Sequence, residues 1–274
     1  MIQDIEPYVL DNMYRPGAEP EANDRVFVFE KNTVLIRRTE TELDFPLAQE
    51  FESCEGFFYL FAVGDERFFL APKDVSYPAG YEFEDVKALR GSGLDPKYRR
   101  FALVTAKHLN DWYTVNVFCG RCGAKTFHSE KERAKICPDC GNVIYPKICP
   151  AVIVGVTNGD KLLLTKYKRG YGHNALVAGF TEIGETLEQT VAREVMEEAG
   201  IRVKNIRYYK SQPWGIADDI LTGFYCDVDG DDMIVMDEGE LKYADWVERS
   251  EIELQPDDSS LTNEMMKMFK EGKQ

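Results

Sequence analysis

Three glutamates, Glu194, Glu197 and Glu198, fall three and four residues apart, so a helix would carry them on one face. Like charges bunched at that spacing repel by a few tenths of a kcal/mol per exposed pair. A sequence that keeps them together implies a counter-charge, and clustered hard oxygens suit Mg²⁺ or Mn²⁺, ions that also grip phosphate oxygens. Arg193 sits inside the cluster and is expected to pair with Glu185, fixing the preceding loop to the helix. Thr186 with Gln189 three places on forms a capping box, and Gly200 supplies a left-handed stop, so a helix is expected between them. Leu187, Val191, Val195 and Ala199, with Ala192 and Met196 beside them, should form the apolar stripe that docks it.

A second constellation is made of cysteines. Cys119-Gly-Arg-Cys122-Gly and Cys137-Pro-Asp-Cys140-Gly each place two thiols on a tight turn, and fourteen residues separate the pairs. That spacing allows a short hairpin to gather four thiolates around Zn²⁺, with no ligand position left open, so the zinc is expected to be structural. Redox dithiols usually come singly at a helix start, which makes that reading the weaker one. Cys54, Cys149 and Cys226 lie in apolar surroundings and are expected to be buried and inert. The three histidines, His108, His128 and His173, belong to no nucleophile motif.

The bulk numbers bound what these groups can serve. The chain has 274 residues with a net charge of −15, which disfavours non-specific nucleic-acid binding. It has no run of apolar residues long enough to span a bilayer, and Met1-Ile-Gln-Asp-Ile-Glu does not resemble a secretory signal, so no membrane association is expected. The expected compartment is the cytoplasm, where such cysteine spacing points to metal before it points to disulfides.

Three segments are expected to position the chemistry. Residues 1–116 read as a strand-rich domain. It has strands at Val26–Phe29, Thr33–Arg37, Phe57–Val63 and Arg67–Leu70, a turn at Gly64-Asp65-Glu66, a loop at Pro72–Pro78 and a helix over Ala102–Tyr113. Residues 117–145 hold the cysteine pairs. Residues 146–274 read as an α+β domain: a buried strand at Val152–Thr157, an Asn158-Gly159 hairpin, a return strand at Lys161–Lys166, the glutamate helix, a strand at Thr222–Val228 and an amphipathic helix over Ser259–Lys270.

The run from Gly179 through Glu185, Arg193, Glu194, Glu197 and Glu198 to Gly200-Ile201 matches G-x5-E-x7-R-E-U-x-E-E-x-G-U, with U aliphatic, at every position. A chance match in a chain this long is on the order of one in a million or less at average residue frequencies. The segment is thereby identified as resembling the Nudix hydrolase family. The cysteine pairs just before it and Ser211-Gln-Pro-Trp214 just after it narrow the resemblance to the zinc-ribbon NADH pyrophosphatases.

That resemblance implies a Nudix fold, a mixed sheet between helices, preceded by a zinc ribbon and a strand-rich N-terminal domain. It implies cleavage of NAD(H) to NMN(H) and AMP by a homodimer. The divalent ions would be held by Glu194, Glu197, Glu198 and Glu240, and the first three of these also make up the catalytic set. Tyr145 and Phe180 match aromatics that flank the nicotinamide ring, and Glu132, Ala178 and Arg90 match further substrate contacts. Gln212, Pro213, Trp214, Asp219 and Thr262 complete the substrate-binding set it implies. The sequence departs from the family run Ser-Gln-Pro-Trp-Pro-Phe-Pro-x-Ser, continuing instead as Gly215-Ile-Ala-Asp-Asp219, and Thr262-Asn263 stand where the family has Ala-Arg. Removal of NAD caps from RNA, hydrolysis of ADP-ribose or dinucleoside polyphosphates, and a nucleotide-sensing regulator are the rival readings. An intact glutamate motif and the absence of a helix-turn-helix pattern set the regulator apart.

Overall fold

The structure is a computed structural model and describes residues 1–169 and 172–274. Its contacts divide the chain into two units, one comprising residues 2–147 with 215–218 and the other Met1, 148–214 and 219–274.

In the first unit, short strands alternate with turns. They are β1 (Leu10–Asp11), β2 (Arg25–Phe27), β3 (Phe29–Glu30), β4 (Thr33–Arg38), β5 (Leu43–Asp44), β6 (Phe58–Val63), β7 (Glu66–Leu70) and β8 (Glu82–Asp85). They make two four-stranded sheets, ordered β1-β6-β7-β2 and β3-β4-β5, with β8 on β4 in the second. The expected Gly64 turn joins β6 and β7 as an antiparallel hairpin. Two helices follow, α1 (Val86–Arg90) and α2 (Lys97–Val115). The second is longer than the sequence suggests and buries Leu103, Ala106, Leu109 and Tyr113 as expected, in one core with Phe27, Phe45, Phe61 and Phe68. Ile216 lies against that core, and Asp218 reaches Lys147 at 3.8 Å and His108 at 3.6 Å. His108 also contacts the Lys147 carbonyl oxygen at 2.7 Å, a packing role.

The cysteine segment closes this unit as a three-stranded sheet, β9 (Phe127–His128), β10 (Lys135–Ile136) and β11 (Val143–Ile144). Arg133 ties it down by donating to the Leu60 carbonyl at 2.7 Å and to Asn12 Oδ1 at 3.1 Å.

The second unit is a mixed sheet between two helices. Its elements are β12 (Cys149–Asn158), β13 (Lys161–Tyr167), β14 (Val177–Phe180), α3 (Leu187–Ala199), β15 (Val203–Trp214), β16 (Asp219–Val228), β17 (Leu241–Glu248) and α4 (Leu261–Lys270). The strand order is β15-β16-β12-β13-β17, with β14 beside the start of β12. The β12–β16 pair is parallel and the other pairs are antiparallel.

Residues of β12 alternate between faces, as strand geometry demands. Val152, Val154 and Val156 join Val191, Val195 and Ala199 of α3 in one core. Ile153 joins Leu261, Met265, Met266 and Phe269 of α4 in the other. Cys226 is buried, but Cys54 and Cys149 are only partly so, because each lies where its strand or turn meets the surface.

Candidate active site

Helix α3 begins where its capping box dictates: Thr186 Oγ1 accepts from the Gln189 N–H at 3.2 Å, and Gln189 Oε1 accepts from the Thr186 N–H at 2.8 Å. It stops at Gly200 with φ 70°. Burial of Val191, Val195 and Ala199 fixes its rotation about its axis. The docked face continues through Thr190 and Glu198 rather than through Ala192 and Met196, which are exposed. That corrects the expected stripe: a helix packed by residues four apart buries only one flank of it.

The rotation divides the three glutamates by environment. Glu198 is 3% exposed, Glu194 is partly buried, and Glu197 is exposed. Arg193 holds the outer pair, with Nη1 2.7 Å from Glu194 Oε1 and 3.0 Å from Glu197 Oε2. The same guanidinium forks onto Glu185, Nε to Oε1 at 2.7 Å and Nη2 to Oε2 at 3.0 Å, and Nη2 also donates to the Phe180 carbonyl at 2.9 Å. The expected Arg193–Glu185 clamp is therefore present and pins the 181–186 loop to the helix. It drives the Glu185 carboxyl down to about 2, with Arg193 the leading cause.

Among the described residues no cation forms a salt bridge with Glu198. Burial pushes its carboxyl up to about 8, opposed by the Ala178 backbone N–H and the Tyr167 hydroxyl and assisted by the charges of Glu194 and Glu240. Burial also raises Glu194, with Arg193 pulling the other way. Glu240 is exposed on the turn before β17, where its carbonyl accepts from the Lys168 N–H at 2.9 Å. Among the described residues these glutamates do not converge to within one ion's ligand spacing, and Arg193 is paired with two of them. The expectation of one tight carboxylate cluster on a single helix face is corrected to that extent.

The cysteines do converge. All four sulfurs lie within 4.8 Å of one another, Cys119 to Cys140 at 3.7 Å and Cys122 to Cys137 at 3.4 Å. Four thiolates around Zn²⁺ at about 2.3 Å place their sulfurs roughly 3.8 Å apart, so the cage fits that ion. Gly123 and Gly141 take φ 79° and 70°, closing each knuckle with an N–H to the carbonyl of Cys119 or Cys137. The backbone N–H groups of Arg121 and Cys122 lower the Cys119 thiol to about 6, which favours the thiolate a metal needs.

The residues expected at the substrate fall in both units. In the first unit, Tyr145 is exposed and its hydroxyl donates to Glu132 Oε1 at 3.1 Å, while Arg90 ends α1. In the second, Ala178 and Phe180 lie on β14 beside the glutamates, with Phe180 exposed. Pro213 is exposed and Trp214 half-buried at the end of β15, and Trp214 pairs with Asp219 across the hairpin. Asp219 is buried, and Thr262 lies half-buried in the first turn of α4.

Gln212 points into the second unit. It is fully buried, donating from Nε2 to the Ser259 carbonyl at 2.9 Å and accepting the Leu261 N–H at 2.7 Å. Its amide ties β15 to the start of α4 and does not face solvent. Tyr167 was not anticipated. Its hydroxyl lies 3.3 and 3.4 Å from the two Glu198 oxygens, and 31 residues of separation leave no local signal of that pairing.

Comparison with known proteins accords with this geometry. Residues 147–269 match the NUDIX domain family, and residues 116–145 match the NADH pyrophosphatase zinc ribbon domain. Curated relatives include the NAD-capped RNA hydrolase NudC of Klebsiella pneumoniae subsp. pneumoniae, 45% identical over 54% of this chain and 58% of that protein. Another is its namesake in Escherichia fergusonii, 41% identical over 60% and 64%. The chain thus spans less than two thirds of the length of these relatives. Among solved structures, a NUDIX hydrolase from Nitrosomonas europaea aligns with a TM-score of 0.47 and 26% identity, over 56% of this chain and 90% of that one. Among the described residues no helix is long and apolar enough to cross a membrane.

Proposed function

This chain carries a Nudix domain behind the zinc ribbon of the NADH pyrophosphatases, and from that premise we propose that it hydrolyses the central pyrophosphate of NAD(H) to NMN(H) and AMP. The observation that carries the reading is Glu198, a buried carboxyl flanked by Glu194 and Glu240 and, among the described residues, without a cation in salt-bridge contact. Such a group is costly to ionise unless a positive charge arrives from outside the chain.

Glu194, Glu197, Glu198 and Glu240 would hold Mg²⁺ or Mn²⁺, as a hard-oxygen donor set suits either ion. A bound divalent cation supplies charge neutralisation on the pyrophosphate and a more acidic water. One of the glutamates takes the proton of the attacking water. The water oxygen bonds to one phosphorus in line as the bridging P–O bond breaks, and the second phosphate leaves with the bridging oxygen. Positioning does most of the work, since phosphoryl transfer needs little covalent help.

Tyr145 and Phe180 are exposed aromatics suited to stacking on a nicotinamide ring. Glu132, Arg90, Ala178, Pro213, Trp214, Asp219 and Thr262 are the further substrate contacts proposed. Cysteines spaced for a metal rather than for disulfides are typical of reducing compartments, which supports a cytoplasmic location. A homodimer is part of the same proposal, on the resemblance to the NADH pyrophosphatases.

The test is Glu198→Gln. Turnover of NADH should fall by orders of magnitude with zinc content and thermal unfolding retained, and near-parental turnover in saturating Mn²⁺ would contradict the reading. The same bond at the 5′ end of an RNA is the second reading, favoured by the name the curated relatives carry. Turnover of NADH against NAD-capped RNA separates the two.

A further inference from the structure

We infer that Tyr167 is a positioning residue for Glu198: its phenol fixes the carboxylate in the orientation that a divalent cation meets. The inference rests on the proposed reading that Glu198 is a metal ligand.

The geometry is specific. Tyr167 is the last residue of β13, and pairing with β17 slips there: Lys166 faces Tyr243, but Tyr167 faces Leu241. A bulge of this kind re-aims the side chain beside it. The phenol oxygen ends nearly equidistant from the two Glu198 oxygens, at 3.3 and 3.4 Å. Among the described residues it is the one side chain hydrogen-bonded to Glu198, and the Ala178 backbone N–H is the other donor. The same slip places Leu241 opposite Tyr167 and brings the Glu240 backbone onto Lys168, so one irregularity sets both the phenol and the neighbouring acid.

The chemistry of the donor matters as much as its place. Arg193 serves Glu185, Glu194 and Glu197 and makes no bond to Glu198. A cation at the Tyr167 position would hold the carboxylate more tightly but would repel the ion that the carboxylate must attract. A neutral hydroxyl donates one proton and leaves most of the carboxylate lone pairs free for a metal and its water. Without it, a side chain 3% exposed would keep only a backbone donor and could rotate between ligand geometries.

The test uses the full-length, zinc-loaded protein and Tyr167→Phe, which keeps the ring and removes the hydroxyl. Mn²⁺ binding is read from the paramagnetic resonance of the free ion, alongside NADH hydrolysis at graded Mn²⁺. Mn²⁺ at half-saturation should rise about ten-fold, the order of one hydrogen bond to a charged group. kcat should fall by about as much, with KM for NADH and the melting temperature unchanged. In a Glu198→Gln background the same change should alter Mn²⁺ binding less than about two-fold, because the group it positions is gone.

Unchanged Mn²⁺ binding in Tyr167→Phe overturns the inference, as does an equal shift in both backgrounds. A fall in melting temperature with metal dependence unmoved would mark a packing role and overturn it too. If Glu198→Gln alone leaves Mn²⁺ binding and hydrolysis intact, the metal reading itself fails. If Glu198→Gln is inactive while Tyr167→Phe is silent, only the role given to Tyr167 falls.

Discussion

Gly179 on β14 has no side chain at the place where the Glu194 carboxylate lies. A Cβ built there would overlap both Cδ and Oε1 of Glu194, far inside any non-bonded contact. The strand and the helix are thus spaced for a glutamate to tuck between them. The first glycine of the family motif is accounted for by that spacing.

Gly179→Ala therefore separates function from stability. The obstructing atoms are the far end of a flexible side chain, so the glutamate can swing out at a cost of about 1 kcal/mol or less, toward the mild end for overpacking. Hydrolysis should fall roughly 100-fold, since a carboxylate displaced by an ångström or more no longer holds its position. Paired melting and turnover measurements check this, and parental turnover would remove Glu194 from the site.

Arg193→Lys should be a severe change despite keeping the charge. The guanidinium makes five contacts, to Glu185, Glu194, Glu197 and the Phe180 carbonyl, from a rigid fork that a single ammonium cannot span. Turnover should drop roughly ten-fold to 100-fold, and amide exchange should accelerate over residues 181–186 while Val191 and Val195 stay protected.

The ribbon zinc should be structural alone. One zinc per chain is expected by elemental analysis, and Glu198→Gln should retain it in full. Cys137→Ser should lose the metal and open residues 117–145 to amide exchange, because a segment this small has little core of its own. Protection of β12 and α3 should persist.

Acid should weaken the first unit through Glu66. Burial by itself would raise this carboxyl, but Arg99 at 2.6 Å and Arg25 at 3.0 Å outweigh it and hold the carboxyl below its ordinary value of 4.5. The unfolded chain then takes up the proton first as pH falls. The stability from these pairs is complete above about pH 4.5 and is lost as pH drops through that value toward the lower folded one. Melting curves of the parent and Glu66→Gln should differ most near pH 7 and converge toward pH 3. A constant difference across that range would contradict the assignment.

How far the sequence could be read follows from the range of the interactions. The start and stop of α3 were legible because Thr186, Gln189 and Gly200 act within a turn of one another. The cysteine cage was legible because ligand spacing along the chain already demands it. The faces of α3 were less so: Ala192 and Met196 fit an apolar stripe on paper, but tertiary packing decides which flank is covered, and Glu198 took that place. Strands β14, β15 and β17 escaped notice, since their pairing depends on partners far along the chain. Gln212 shows the limit of reading by motif, which gives a residue's neighbourhood but not the direction of its side chain. Tyr167 carried no signal at all, because its partner is brought to it by tertiary packing.

The most direct test of the central claim is the bond that breaks. NADH incubated with the protein and Mn²⁺ in ¹⁸O-water should give reduced NMN and AMP by mass spectrometry, with the label on the phosphate of one product, and Glu198→Gln should give neither. Intact NADH, or products split at the nicotinamide–ribose bond with an unbroken pyrophosphate, would contradict the account.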